Sequence, residues 1–112
     1  MMTVKIIGES TITASGIDDH RFSMADFIDK FPVDLIGGGN DDKAAKKSAL
    51  VHWGSSSPEE TDIAGDKCIF RRRGFVKVFF ANNDAMPGDL VRVEEIAPYE
   101  YSLSLIKKAV RP

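Results

Sequence analysis

The run Lys67-Cys-Ile-Phe-Arg-Arg-Arg-Gly-Phe-Val-Lys-Val-Phe-Phe80, followed by Met86-Pro-Gly-Asp-Leu-Val-Arg-Val-Glu94, constrains this chain most. It reads as a strand, a short aromatic helix, a Pro-Gly turn and a second strand. Phe75 and Phe79, and Val76 and Phe80, are four apart, which suits a helix after Gly74 ending at Asn82 and Asn83. Met86-Pro87-Gly88-Asp89 sets Pro and Gly where a type II turn needs them. A small barrel uses that order to plug one open end with a helix. The same run concentrates charge. Lys67, Arg71, Arg72, Arg73 and Lys77 fall between positions 67 and 77 with no acid among them, although the chain's net charge is −2. Such clustering makes a local positive face, and a positive face on a small barrel suggests nucleic acid. The overall acidity argues the other way, because phosphate contacts supply most non-specific affinity.

At 112 residues the chain is one domain, read as 1–106 with a tail at 107–112 that frays or leads into a partner domain. There is no apolar run of membrane-spanning length and no visible secretory signal, which places the chain in the cytoplasm, away from membranes. The lone Cys68 fits a reducing compartment and is read as a packed core thiol.

Thr3 to Ile7 alternates Val4 and Ile6 with polar neighbours and reads as a first strand. Gly8 to His20 lacks helical periodicity and reads as a long loop or hairpin. Ser23-Met-Ala-Asp26 is a capping signal, and Met24, Phe27, Ile28 and Phe31 follow as one apolar helix face, stopped at Pro32. Gly37-Gly-Gly39 reads as a flexible loop. No Gly-Lys-Ser or Gly-Lys-Thr follows it, so it is not a phosphate loop. Ala49, Val51 and Trp53 form a second strand, Gly54 to Asp66 a second long polar excursion, and Cys68 to Arg71 a strand. Leu90 to Ile96 and Tyr101 to Leu105 form a hairpin around Ala97-Pro98, with Tyr101, Leu103 and Leu105 on one face. The expected package is mainly β (α+β): a small open barrel of about seven short strands and two short helices.

In this order the elements resemble the DNA-binding pseudobarrel superfamily, over roughly Ser10 to Leu105. That superfamily includes the plant B-three transcription-factor domain and the target-recognition domains of bacterial EcoRII-type restriction endonucleases. Ser10-Thr-Ile-Thr-Ala-Ser15, Arg21-Phe-Ser-Met24 and the helix ending in Phe31-Pro32 are similar to the family's opening strand, loop and first helix. Arg73-Gly-Phe-Val-Lys-Val-Phe79 and Gly88-Asp-Leu-Val-Arg-Val93 are similar to its aromatic helix and following strand. Phe75 stands where Trp is usual in the plant pattern, and the second polar loop is longer and more acidic. The 63–70 run and the ending at Tyr99 look closer to the bacterial domains.

The resemblance implies sequence-specific binding of double-stranded DNA by two polar arms in the major groove. It also implies a restriction or defence role beside a nuclease domain or subunit, or a small regulator. The arms would be roughly Thr11 to Arg21 and Trp53 to Lys67. Ser15, His20 and Arg21 donate to purine edges or phosphates, and Asp18, Asp19 and Asp62 accept from cytosine amino groups. Ser55, Ser57 and Thr61 do either, Trp53 is core or a groove contact, and Lys67, Arg71 and Arg73 meet phosphates. No catalytic set, metal site or cofactor motif is visible. Glu59, Asp66 and Lys67 offer a nuclease-like trio only within one flexible loop. A small-barrel module that binds protein or a small ligand is the alternative, and it accommodates the net acidity.

Overall fold

The sheet is built on its last two strands. In the computed structural model, which describes residues 4–40, 43–55 and 57–108, β7 (Leu90–Ala97) and β8 (Glu100–Ile106) form an antiparallel hairpin. Its inward side is Val91, Val93, Tyr101 and Leu103, all buried, and its outward side alternates polar residues such as Arg92, Ser102 and Ser104, as a one-sided sheet requires. β1 (Lys5–Thr11) pairs antiparallel with β7, and β3 (Ala49–His52) pairs parallel with β8. β4 (Glu59–Thr61) completes a five-stranded sheet of order β1-β7-β8-β3-β4. A second sheet has the order β2-β5-β6, from Ile36–Gly37, Ile63–Ala64 and Ile69–Phe70. The fold is α+β and mainly β, and among the described residues neither sheet closes into a barrel.

β1 runs further than its sequence pattern suggests, and it faces the other way. The alternation of Val4 and Ile6 points outward, at 49% and 52% exposure, while Ile7 is buried. The register slips between Ile6 and Gly8, which resets the alternation. The Phe27 ring fills the space beside Gly8, 2.3 Å from where a Cβ would stand, so only glycine fits.

The stretch expected as a long loop or hairpin after Gly8 holds the end of β1 and a helix, α1 (Ala14–Asp19). Thr13 caps it, its hydroxyl accepting from the Gly16 N–H at 3.0 Å. Ile12 and Ile17 occupy the two hydrophobic-staple positions, Ile12 buried and Ile17 packed on the core. Only these two apolar residues accompany so short a helix, too few to write a period. The segment after Ser23 is a kinked 3-10 helix over Ala25–Lys30, not an α-helix, with Phe27 outside helical geometry. Its apolar face is as expected: Met24, Phe27 and Phe31 are buried and Ile28 packs against them.

Gly54 to Asp66 is likewise not one loop. It carries β4 and β5, and the chain passes between the two sheets at Asp62, which lies between Thr61 and Ile63. Helix α2 (Gly74–Asn82) forms where the four-residue spacing put it and buries Phe75, Val76, Phe79 and Phe80. An aromatic row, Phe22–Phe70–Phe75–Trp53, joins neighbours at centroid separations of about 6 Å. Gly88, at φ 97°, makes the turn into β7. The tail is anchored at its start. Asp89 accepts from Lys107 Nζ at 2.7 Å and from the Lys108 N–H at 2.8 Å, and residues 109–112 lie outside the described residues.

Candidate nucleic-acid interface

α1 positions the first arm. Ser15, Asp18 and Asp19 are exposed along it, and Gly16 is buried beneath. The helix ends in a Schellman motif. His20 lies in the left-handed region (φ 58°, ψ 51°), its N–H donating to Ile17 at 3.3 Å, and the Arg21 N–H donates to Gly16 at 2.9 Å. A left-handed residue turns the chain sharply, and His20 and Arg21 line different depressions. Arg21 turns toward a cleft of about 350 Å³ lined by Thr11, Thr13, Ser15, Ser23 and Lys67 over an apolar floor of Phe22 and Ile69. Lys67 comes from the tip of the β5–β6 turn. Three residues singled out from sequence, Ser15, Arg21 and Lys67, thus share one cleft, although Lys67 lies about fifty positions from the other two.

Arg73, exposed at the start of α2, donates to the Asp19 carbonyl at 3.4 Å, and Asp19 faces Arg21 at 3.4 Å. Trp53 packs on Phe75, centroids 6.0 Å apart, one residue beyond Gly74. Its indole N–H is buried with no partner among the described residues. Ser55 and Ser57 follow in an exposed loop, the Ser57 N–H donating to Ser55 Oγ at 3.4 Å.

Three of the expected contact residues turn inward. Asp62 and Arg71 form an ion pair at 2.7 Å, with side-chain exposures of 6% and 12%. The same guanidinium donates to the carbonyls of Gly38 at 2.7 Å and Asn40 at 3.0 Å, so it clasps the triple-glycine loop to the β5–β6 sheet. Asp62 also accepts from the Ala45 N–H at 2.7 Å. Burial pushes the Asp62 carboxyl up, but the Arg71 and Ala45 hydrogen bonds outweigh it and hold its pKa below the ordinary carboxylate value. Thr61 is buried, donating to the Asp62 carbonyl at 2.9 Å and accepting from the Arg72 N–H at 3.1 Å. These three side chains hold the crossing between the sheets.

Cys68 lies in the β5–β6 turn (φ 56°), half-buried, its thiol 3.6 Å from the Gly65 carbonyl, and not in a strand. His52 pairs with Glu100 at 2.7 Å across the parallel strands. Two residues lie outside the contacts expected from sequence, although Lys77 is counted in the basic cluster. Thr13, signalled by its place before a staple-spaced isoleucine, builds the cleft. Lys77, hidden in the aromatic helix, is exposed on α2. Among the described residues no three His, Cys, Asp or Glu side chains are grouped to hold a metal ion, and no helix is long and apolar enough to cross a membrane.

The cleft is suited to an anion. Two cations and four hydroxyls converge on it, and Lys67 makes no ion pair among the described residues. No protein-family model matches the chain, and no curated protein matches it at significant similarity.

Proposed function

We propose that the chain is a double-stranded DNA-binding module of pseudobarrel type, serving as the target-recognition part of a restriction or defence system, or as a small regulator, without catalysis of its own. The cleft that joins Ser15, Arg21 and Lys67 supports this reading. Residues distant in the sequence bring two cations and a set of hydroxyls to one concave surface, with Arg73 beside it. That is the chemistry of a phosphodiester backbone seat. Of the acidic residues of the second arm, Asp62 is neutralised inside the fold and Glu59 faces Arg72 at 3.8 Å, while Glu60 and Asp66 are exposed.

Titration of a random duplex pool at several salt concentrations tests the proposal. With Arg21, Lys67, Arg73 and Lys77 at phosphates, log affinity against log salt should fall with a slope of about −3.5. A slope near zero, or no duplex binding at low salt, removes the reading. A protein- or ligand-binding module is the second reading. A cleft of about 820 Å³ beside the acidic edge strand Glu59–Glu60 favours it.

A further inference from the structure

α1 stands between two depressions, and only one of them is the cleft just described. On the His20 side, a groove of about 340 Å³ runs between α1 and α2, with Ile17, Phe80 and Met86 along its floor and His20 and Lys77 among its lining residues. Asp84 also lines this groove, and its carbonyl takes the Lys107 ammonium. Cations therefore flank the helix on both sides, Arg21 and Lys67 on one and Lys77 on the other, where the His20 imidazole offers a hydrogen bond beside it. The exposed crest between them carries Ser15, Asp18 and Asp19.

His20 adds an independent observation. Left-handed backbone at a helix C-terminus favours glycine, and a larger residue there is strained. Of the three other non-glycine residues with positive φ, the Asp84 side chain likewise makes no hydrogen bond or ion pair with the described residues, while two are tied down by their side chains. The Tyr99 hydroxyl donates to Asp34 at 2.8 Å, and the Cys68 thiol reaches the Gly65 carbonyl. The His20 imidazole makes no hydrogen bond or ion pair with the described residues. The backbone hydrogen bonds of the cap return something for its left-handed conformation, but the side chain itself adds no contact to the fold, which leaves the imidazole available to a ligand.

We propose that α1 enters the DNA major groove as a single ridge, with the backbone of one strand on the Arg21–Lys67 side and that of the other on the His20–Lys77 side. This rests on the DNA-binding reading and replaces its two arms with one. The dimensions agree. A six-residue helix is about 9 Å long and 10–12 Å across, and the major groove is about 12 Å wide. The charges agree as well. Asp19 faces Arg21 at 3.4 Å, and Asp18, at the crest, would be repelled by phosphates but not by base edges, where cytosine amino groups are donors.

Phosphate-ethylation interference on a duplex selected from a random pool reads contacts strand by strand. The unaltered protein should show interference on both strands. Lys67→Ala should erase signals on one strand only, and Lys77→Ala on the other, each making the salt slope shallower by about one unit. His20→Gly should lose the same strand's signals as Lys77→Ala while raising the melting temperature, because glycine relieves the strained cap. If Lys67→Ala and Lys77→Ala erase signals on the same strand, or if Lys77→Ala changes nothing, the single-ridge model is wrong and DNA binding stands. If the unaltered protein binds no duplex at low salt, the DNA reading itself falls.

Discussion

Arg71 and Arg73 stand two apart in one run of three arginines, yet they do unrelated work. Arg71 is enclosed against Asp62 and two carbonyls, so Arg71→Ala strands a buried carboxylate and should cost roughly 3 kcal/mol in chemical denaturation. Arg73→Ala should change stability by less than about 0.5 kcal/mol, because its guanidinium is exposed. Acid stability follows from two carboxylates. Asp89 is held down to about 2 by Lys107 and by the Lys108 and Met86 N–H groups, against an ordinary value of 3.8, and Asp62 is also lowered. A carboxylate whose pKa is depressed by folding stabilises the fold above its unfolded pKa, and that contribution is lost as pH falls through the folded pKa. Thermal stability should therefore hold steady above about pH 4 and fall between pH 3.8 and about 2. Asp89→Asn should flatten that fall, and an unchanged profile would show that Asp89 is not titrating there. Which arginine is buried was not legible in the sequence, because the answer lies in Asp62 and in carbonyls more than thirty positions away.

At the scale of elements, legibility followed the strength of the local period. α2 and the β7–β8 hairpin repeat their apolar residues at four and at two, and both form where expected. α1 has only Ile12 and Ile17 to mark it. The two strands within 54–66 are three and two residues long, below the length at which alternation can be read. Residue chemistry therefore grouped the candidate residues better than the expected elements did. Ser15, Arg21 and Lys67 meet in one cleft, while the arms thought to carry them are partly helix and sheet. Thr13→Ala removes the cap of α1 and should cost about 1 kcal/mol. Because α1 carries the proposed contacts, the same variant should weaken DNA binding more than its small stability loss explains, measured by titration well below the melting temperature. Phe79→Ala opens the core and should cost about 3–5 kcal/mol. Tyr101→Phe should be neutral or mildly stabilising, since the buried hydroxyl has no partner among the described residues.

Across the whole molecule, a net charge of −2 coexists with a cationic region because several acids sit elsewhere: Glu9 faces Arg92 and Glu100 faces His52 on the outer side of the five-stranded sheet. Asp18 is not among them, an exposed acid on α1 with no partner among the described residues. Asp18→Asn should tighten binding to scrambled duplex slightly and weaken binding to the selected site by roughly 1–3 kcal/mol. Equal changes on both duplexes would show that Asp18 reads no base.

The order of that sheet also governs when it can exist. Its middle strands, β7 and β8, span residues 90–106, and β1 and β3 attach to them from either side. A chain emerging from the ribosome through Asp89 has made β1, β3 and β4; β3 can already pair with β4, but β1 has no partner and the other edge of β3 is open. Ile7, Ala49 and Val51 then stay exposed until the hairpin arrives. Completing the five-stranded sheet has to wait for nearly the whole described chain, and a nascent molecule of this kind should depend on chaperones during that interval more than one whose central strands are made first.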